Sequence, residues 1–198
     1  MALTPNDSLW WLLRLEKRRA DREKHFDYLY RYATGNHPLP EGDERARELF
    51  KAFQRKARTN YCGLVSSSVA ERLHVDGFRA GSTGGADADA AAWQIWQHNH
   101  LDADSELVHS AALDLSEAYV MVGFDGERST ISVEDPRTVT VETHPLNRRH
   151  YRAGVKTWTD DVEGATRSVL YLPRSVHYFT RPSGTNRWAP EAWRETGP

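Results

Sequence analysis

Up to Leu115 the apolar residues of this 198-residue chain recur at helical spacing, and from Ala118 they alternate. That change of period constrains the fold more than any other feature. A segment patterned at 3.6 residues buries one face as a helix, and one patterned at two buries one face as a strand. Helices first and strands after predict an α+β fold, with N-terminal amphipathic helices followed by an antiparallel β meander. The expected divisions are a helical region over residues 1–80, a helix pair with antiparallel sheet over 87–181, and an irregular tail over 182–198.

The helical half reads in pieces. Thr4 is the expected cap of a first helix, Pro5 suits its first turn, and Asp7 sits where a carboxylate favours a helix N-terminus. Leu9, Trp10, Leu12 and Leu13 form its apolar stripe, Phe26, Leu29, Tyr30 and Tyr32 a second cluster, and Gly35 its stop. Residues 34–42 (TGNHPLPEG) break periodicity with two prolines and two glycines. A second helix is expected from Asp43, with Ala46, Leu49, Phe50, Phe53 and Ala57 on one face. It is expected to run on, with a bend at Asn60 or Gly63, through NYCGLVSSSVAERLHVDGFR (60–79). There Tyr61, Leu64, Val65, Ser68, Val69 and Leu73 share a face, and Val75 and Phe78 flank Gly77 in an expected strand. The connector AGSTGGA (80–86) lacks the Lys-Ser/Thr of a phosphate-binding loop. A helix over 87–98 carries Trp93, Ile95 and Trp96 and ends at Asn99. In the next helix Asp102 is the expected cap and Leu101 its staple, with Leu107, Val108, Ala111, Ala112 and Leu115 buried.

The strand half alternates through AYVMVGFD, the turn pair Asp125-Gly126, STISVED and TVTVET. Strands are also expected over 151–159, 166–172 and 175–180, with turns at 144–147 and 160–164. The tail holds Trp188 and Trp193 among Pro, Gly and polar residues.

Composition narrows the function. Formal net charge is −2, so the chain does not grip phosphates by bulk electrostatics. Seven Trp and eight Tyr are more than a small core needs and point to contact surfaces, with core filling the equal alternative; Phe26, Tyr30, Trp93 and Trp96 are the candidate oligomer-interface residues. The basic run Arg14, Lys17, Arg18, Arg19 is interleaved with Glu16, Asp21 and Glu23. A solvated helix face is the plainer reading, and Arg14, Arg18 and Arg19 are the candidate DNA contacts. Cys62, the only cysteine, reads as a small packed residue. The segment LWWLLRL (9–15) is too short to span a membrane and lacks a signal-peptide cleavage pattern, so a cytoplasmic origin is expected. The nine histidines, with His98 and His100 as HxH, lack the paired ligands of a metal site. Asp160-Asp161 and Glu134-Asp135 suit turns and strand ends, and no GxSxG elbow occurs. No cofactor, metal or catalytic group is expected.

The ordered set of pieces resembles the N-terminal region of portal proteins of tailed phages, especially siphophages of actinobacteria. It comprises YLYRYATG (28–35) with its proline loop, the segment 58–79, and WQIWQHNHLDADSELVHSAALDLSEAYVMV with its Leu-Asp step, helix and Ala-Tyr-Val strand. The acidic-Pro step at 134–136 completes it. Family members carry a glycine before the Ala-Tyr-Val strand, where this chain has Ser116-Glu117. The resemblance implies a structural, non-enzymatic protein of the virion's portal vertex, made in the host bacterial cytoplasm. It implies a twelve-subunit ring with terminase, capsid or scaffold and connector proteins as partners, and DNA passing through without sequence-specific binding. This chain corresponds to the wing, short of the channel helices, clip and crown. The alternatives are a phage nucleic-acid-binding protein using the basic helices, and an enzyme with a histidine-based site.

Overall fold

The computed structural model describes residues 3–38, 51, 53, 59–79 and 85–191. Most of the helix expected from Asp43, most of the glycine-rich connector, and Trp193 lie outside the described residues. In chain order the elements are α1 (Ser8–Ala33), α2 (Tyr61–Ala70), α3 (Gly85–His98) and α4 (Leu101–Leu115), then β1 (Tyr119–Phe124), β2 (Ser129–Glu134), β3 (Val139–His144), β4 (Asn147–Asp160), β5 (Ala165–Leu172), β6 (Ser175–Pro182) and β7 (Ala189–Glu191). The fold is α+β, with antiparallel strands in two sheets rather than one meander: a β1–β2 hairpin and a five-stranded sheet ordered β3-β4-β5-β6-β7. Two compact units result, Met1–Lys24 with Pro136–Pro198, and His25–Asp135, limits that differ from the expected 1–80, 87–181 and 182–198.

In the first unit, the start of α1 lies on the five-stranded sheet. Trp11, Leu12 and Leu15 meet Ala153, Val155, Leu170, Phe179 and Trp188. The register explains the match, because Thr140, Val155, Leu170 and His177 oppose one another in one row across four strands. A Leu buried this fully contributes about 1.5–3 kcal/mol. The expected stripe is rotated: Trp11 and Leu15 face inward, whereas Leu13 is exposed. The start also differs. Asp7 immediately precedes the helix, and its carboxylate accepts from the Thr4 amide (2.8 Å) and hydroxyl (3.1 Å), so Thr4 does not cap. The described part of the tail is not wholly irregular: Trp188 is buried, Arg181 lies 4.7 Å over its ring, and residues 189–191 add β7. One polar row crosses the core without loss of hydrogen bonding. The Thr157 hydroxyl donates to Glu16 Oε1 (2.6 Å) and lies 2.9 Å from the Ser168 hydroxyl.

The second unit holds the end of α1, then α2, α3, α4 and the hairpin, with α2 against α4 and α4 against β2. Asn60 is the hinge of its helical part. It caps α2 by accepting from the Gly63 amide (2.9 Å) and donates to the Ala33 carbonyl of α1 (2.7 Å). A helix therefore starts at Tyr61 instead of continuing through it. It ends at Ala70, and residues 73–79 form no strand. Gly35 stops α1 at φ +72°. The left-handed residue after α3 is His100, at φ 54°, rather than Asn99, the expected end of the helix. Asp102 does not cap α4, since His100 occupies that place without a side-chain bond.

Candidate functional site

The aromatic residues of the second unit divide by burial. Phe26 is only 4 % exposed, while Tyr30 stands in solvent. Trp93 and Trp96, one turn apart on α3, are half-buried with rings stacked at 6.4 Å and 11°. Phe78 leans on both, at 6.0 and 5.5 Å. The Trp96 indole donates to Asp102 Oδ1 at 2.7 Å, which fixes the ring against the head of α4. Aromatic contacts of this kind contribute about 0.5–1.5 kcal/mol beyond area. Sequence spacing located the two tryptophans; Phe78, expected beside Gly77 in a strand, reaches them from an irregular segment instead.

Asn99 ties α3 to the hairpin. Its amide donates to the Ile95 carbonyl (2.8 Å) and the Ser129 carbonyl (3.0 Å), and its carbonyl accepts from the Ile131 amide (2.7 Å). The side chain thus takes the place of a strand along part of β2, shielding backbone groups that would otherwise template pairing. At the hairpin turn, the Asp125 carboxylate accepts from the Arg128 (2.7 Å) and Glu127 (2.9 Å) amides, which hold it below the ordinary carboxylate range.

Two of the four cations of the basic run on α1 are paired with carboxylates. Arg14 donates twice to Glu142 of β3, at 2.7 and 2.9 Å, and Arg19 twice to Glu16 at 3.2 Å. The Arg14 hydrogen bond holds Glu142 below the usual Glu range, against the opposing effect of burial. Arg18 is exposed. A groove of about 530 Å³ lined by Arg14, Lys17, Arg18, Asp21 and Glu142 mixes both signs of charge, a poor cradle for a phosphate backbone. Among the described residues no group of three or more His, Cys, Asp or Glu converges as metal ligands, and no helix is long and apolar enough to cross a membrane.

Among the described residues, α2 and β1 also carry runs of exposed large apolar side chains. Tyr61, Leu64, Val65 and Val69 face outward from α2, as do Val120, Val122 and Phe124 along β1. The stripe that helical spacing picks out over 61–69 is therefore the outer face of α2. Leu107 of α4, expected inside, is also exposed.

Stacked rings, uncovered apolar faces and the pairing of Arg14 and Arg19 with carboxylates are features of a contact surface. The family of phage portal proteins described as SPP1 Gp6-like matches residues 13–196. The portal protein of Mycobacterium phage L5 is 30% identical over 148 residues, 69% of this chain and 29% of that protein. The portal protein of Mycobacterium phage D29 is 28% identical over 137 residues, 65% of this chain and 28% of that protein. The chain belongs to the SPP1 Gp6-like phage portal protein family, and it spans under a third of the length of these relatives.

Proposed function

We propose that this chain is a wall segment of a phage portal, acting by shape and contact at the capsid vertex as part of a ring through which DNA is packaged and ejected. The observation that carries the reading is the family match across nearly the whole described length. In this reading the chain catalyses nothing, assembles with further copies into a ring of twelve, and meets terminase, capsid and connector proteins in the virion. DNA passes it without being gripped. The paired state of Arg14 and Arg19 supports that last point, since a guanidinium bonded to a carboxylate is not free for a phosphate. The stacked Trp93 and Trp96 support a lateral contact, with Tyr30 as a second exposed ring.

Light scattering and negative-stain images of the native particle test the assembly. Ring particles are expected, and the Trp93→Ala, Trp96→Ala double variant lowers their yield more than it lowers monomer stability. Equal loss of both would count against the reading. Titration with duplex DNA tests the passage: weak binding with a shallow salt dependence is expected. A steep fall of affinity with salt would favour the nucleic-acid-binding alternative.

A further inference from the structure

We propose that the β3–β4 hairpin of one copy docks on the acidic unit of a second copy, with Leu146 seated in the groove between α3 and the β1–β2 hairpin and with Arg148 and Arg149 beside Glu127. The inference rests on the portal reading for the presence of further copies, and it names the two surfaces that join them.

The hairpin projects past its sheet. β4 is 14 residues long, yet β5 meets it only from Gly154 onward. From Thr143 to Arg152 the chain is paired only with itself, Thr143 with Tyr151 and His144 with Asn147. Residues 144–152 are all exposed, Leu146 at 91 % and Tyr151 at 67 %. A two-stranded hairpin with neither face covered is marginal in water, so a finger of this kind gains from being docked. Its ten residues, 143–152, hold three arginines, two histidines and no acid. Arg152, at the base, lies 5.4 Å over the Trp11 ring. Arg148 and Arg149 make no ion pair among the described residues.

The counter-surface lies in the other unit. Charge is divided unevenly: the unit with the five-stranded sheet has 16 Lys and Arg against 10 Asp and Glu, and the other has 10 against 18. Within the latter, residues 85–135 carry eleven acids and a single Lys or Arg, Arg128, which lies 3.2 Å from His98 Nδ1. There α3 and the β1–β2 hairpin line a groove of about 540 Å³, with room for a leucine side chain. Ile95 and Phe124, 41 % and 68 % exposed, give it apolar walls. Glu127 also lines it, exposed and with no ion pair among the described residues.

Complementary chemistry selects the occupant. A phosphate backbone would use Arg148 and Arg149 but bring no apolar surface to Leu146. An acidic protein surface with an apolar groove satisfies both, and this chain carries one on the unit that lacks the finger. Leu146 and Phe124 are both open in the single chain, so a contact between them joins two molecules. Because it joins unlike surfaces of identical chains, the contact is head-to-tail, the kind that repeats around a closed ring.

The test is self-association of the 198-residue chain, followed by sedimentation equilibrium at low and high salt. Concentration-dependent association is expected at low salt, weakening as salt rises. Arg148→Glu with Arg149→Glu, and separately Glu127→Arg, each weaken it about tenfold or more, because like charges then face one another. An equimolar mixture of these two charge-reversed chains associates where neither does alone; circular dichroism establishes that each variant folds. A chain that stays monomeric at low salt and millimolar concentration overturns the proposal, and so do charge-reversed chains that associate like the wild type. A mixture that fails to associate overturns it in favour of a different counter-surface. Duplex DNA binding that Arg148→Glu with Arg149→Glu abolishes, in a chain that does not self-associate, overturns it in favour of nucleic acid. Ring particles unchanged by the reversals remove this inference and leave the portal reading; finger-dependent pairs that never close into rings do the reverse.

Discussion

Ser116 shows that a helix can end in the left-handed region on a residue other than glycine. It ends α4 at φ 63°, in the left-handed region that a side chain enters at a cost of roughly 1–2 kcal/mol. Ser116→Gly is therefore expected to raise stability by up to about 1 kcal/mol, less the entropy glycine adds to the unfolded chain, read as a higher urea midpoint at unchanged slope. Gly63 is required for the opposite reason. A Cβ there would lie 2.3 Å from Asn60 Nδ2 and 2.6 Å from the Ala33 carbonyl, the two atoms of the bridge between α1 and α2. Gly63→Ala should cost about 1–3 kcal/mol and speed hydrogen exchange in α2 before it touches β5. The Glu142 carboxyl lies below its ordinary range in the folded state because Arg14 bonds it. Its contribution is thus complete above the unfolded value of about 4.3 and is lost as pH falls through the lower folded value. Arg14→Met should flatten that acid limb by less than about 1 kcal/mol, since the pair is half open to water. An acid limb unchanged in the variant would remove this assignment.

At the scale of elements, the two halves of the chain obey different rules. In the five-stranded sheet, alternation and side-chain direction agree, so one strand face meets α1 and Leu170 is fully buried. Leu170→Ala is expected to cost about 2–5 kcal/mol, through lost burial and the cavity left behind. In α2 the pattern is correct but the direction is not implied by it. Periodicity says that Tyr61, Leu64, Val65, Ser68 and Val69 share a face, and it does not say which side of the helix the neighbour will take. Leu64→Asp in the isolated chain should therefore change stability by no more than about 0.5 kcal/mol, as for a surface site. A loss of several kcal/mol in urea denaturation would mean that the face is already covered. The turns were the most legible elements, since Asp125-Gly126 and Asp160 act through bonds within two or three residues.

Across the whole molecule, buried apolar side chains gather in one unit. The unit with the five-stranded sheet holds Leu12, Leu15, Val155, Leu170, Phe179 and Trp188, whereas the described residues of the other bury Phe26, Ala70, Leu101 and Leu115. Opening free energies should differ accordingly. Native-state hydrogen exchange is expected to be slowest in β4 and β5 and faster throughout α2 and α4; uniform protection would contradict this. The amino-acid order alone determined the α+β class, the strand succession from Tyr119 to Pro182, the hairpin turns and the family resemblance, because each rests on local period or on ordered motifs. Only the tertiary structure decided that the strands split into two sheets, that Trp188 belongs to the core, that Arg14 is held by Glu142 128 positions away, and that the apolar stripe of α2 looks outward. Those are facts about which surfaces meet, and contact between distant segments leaves no period in a single sequence.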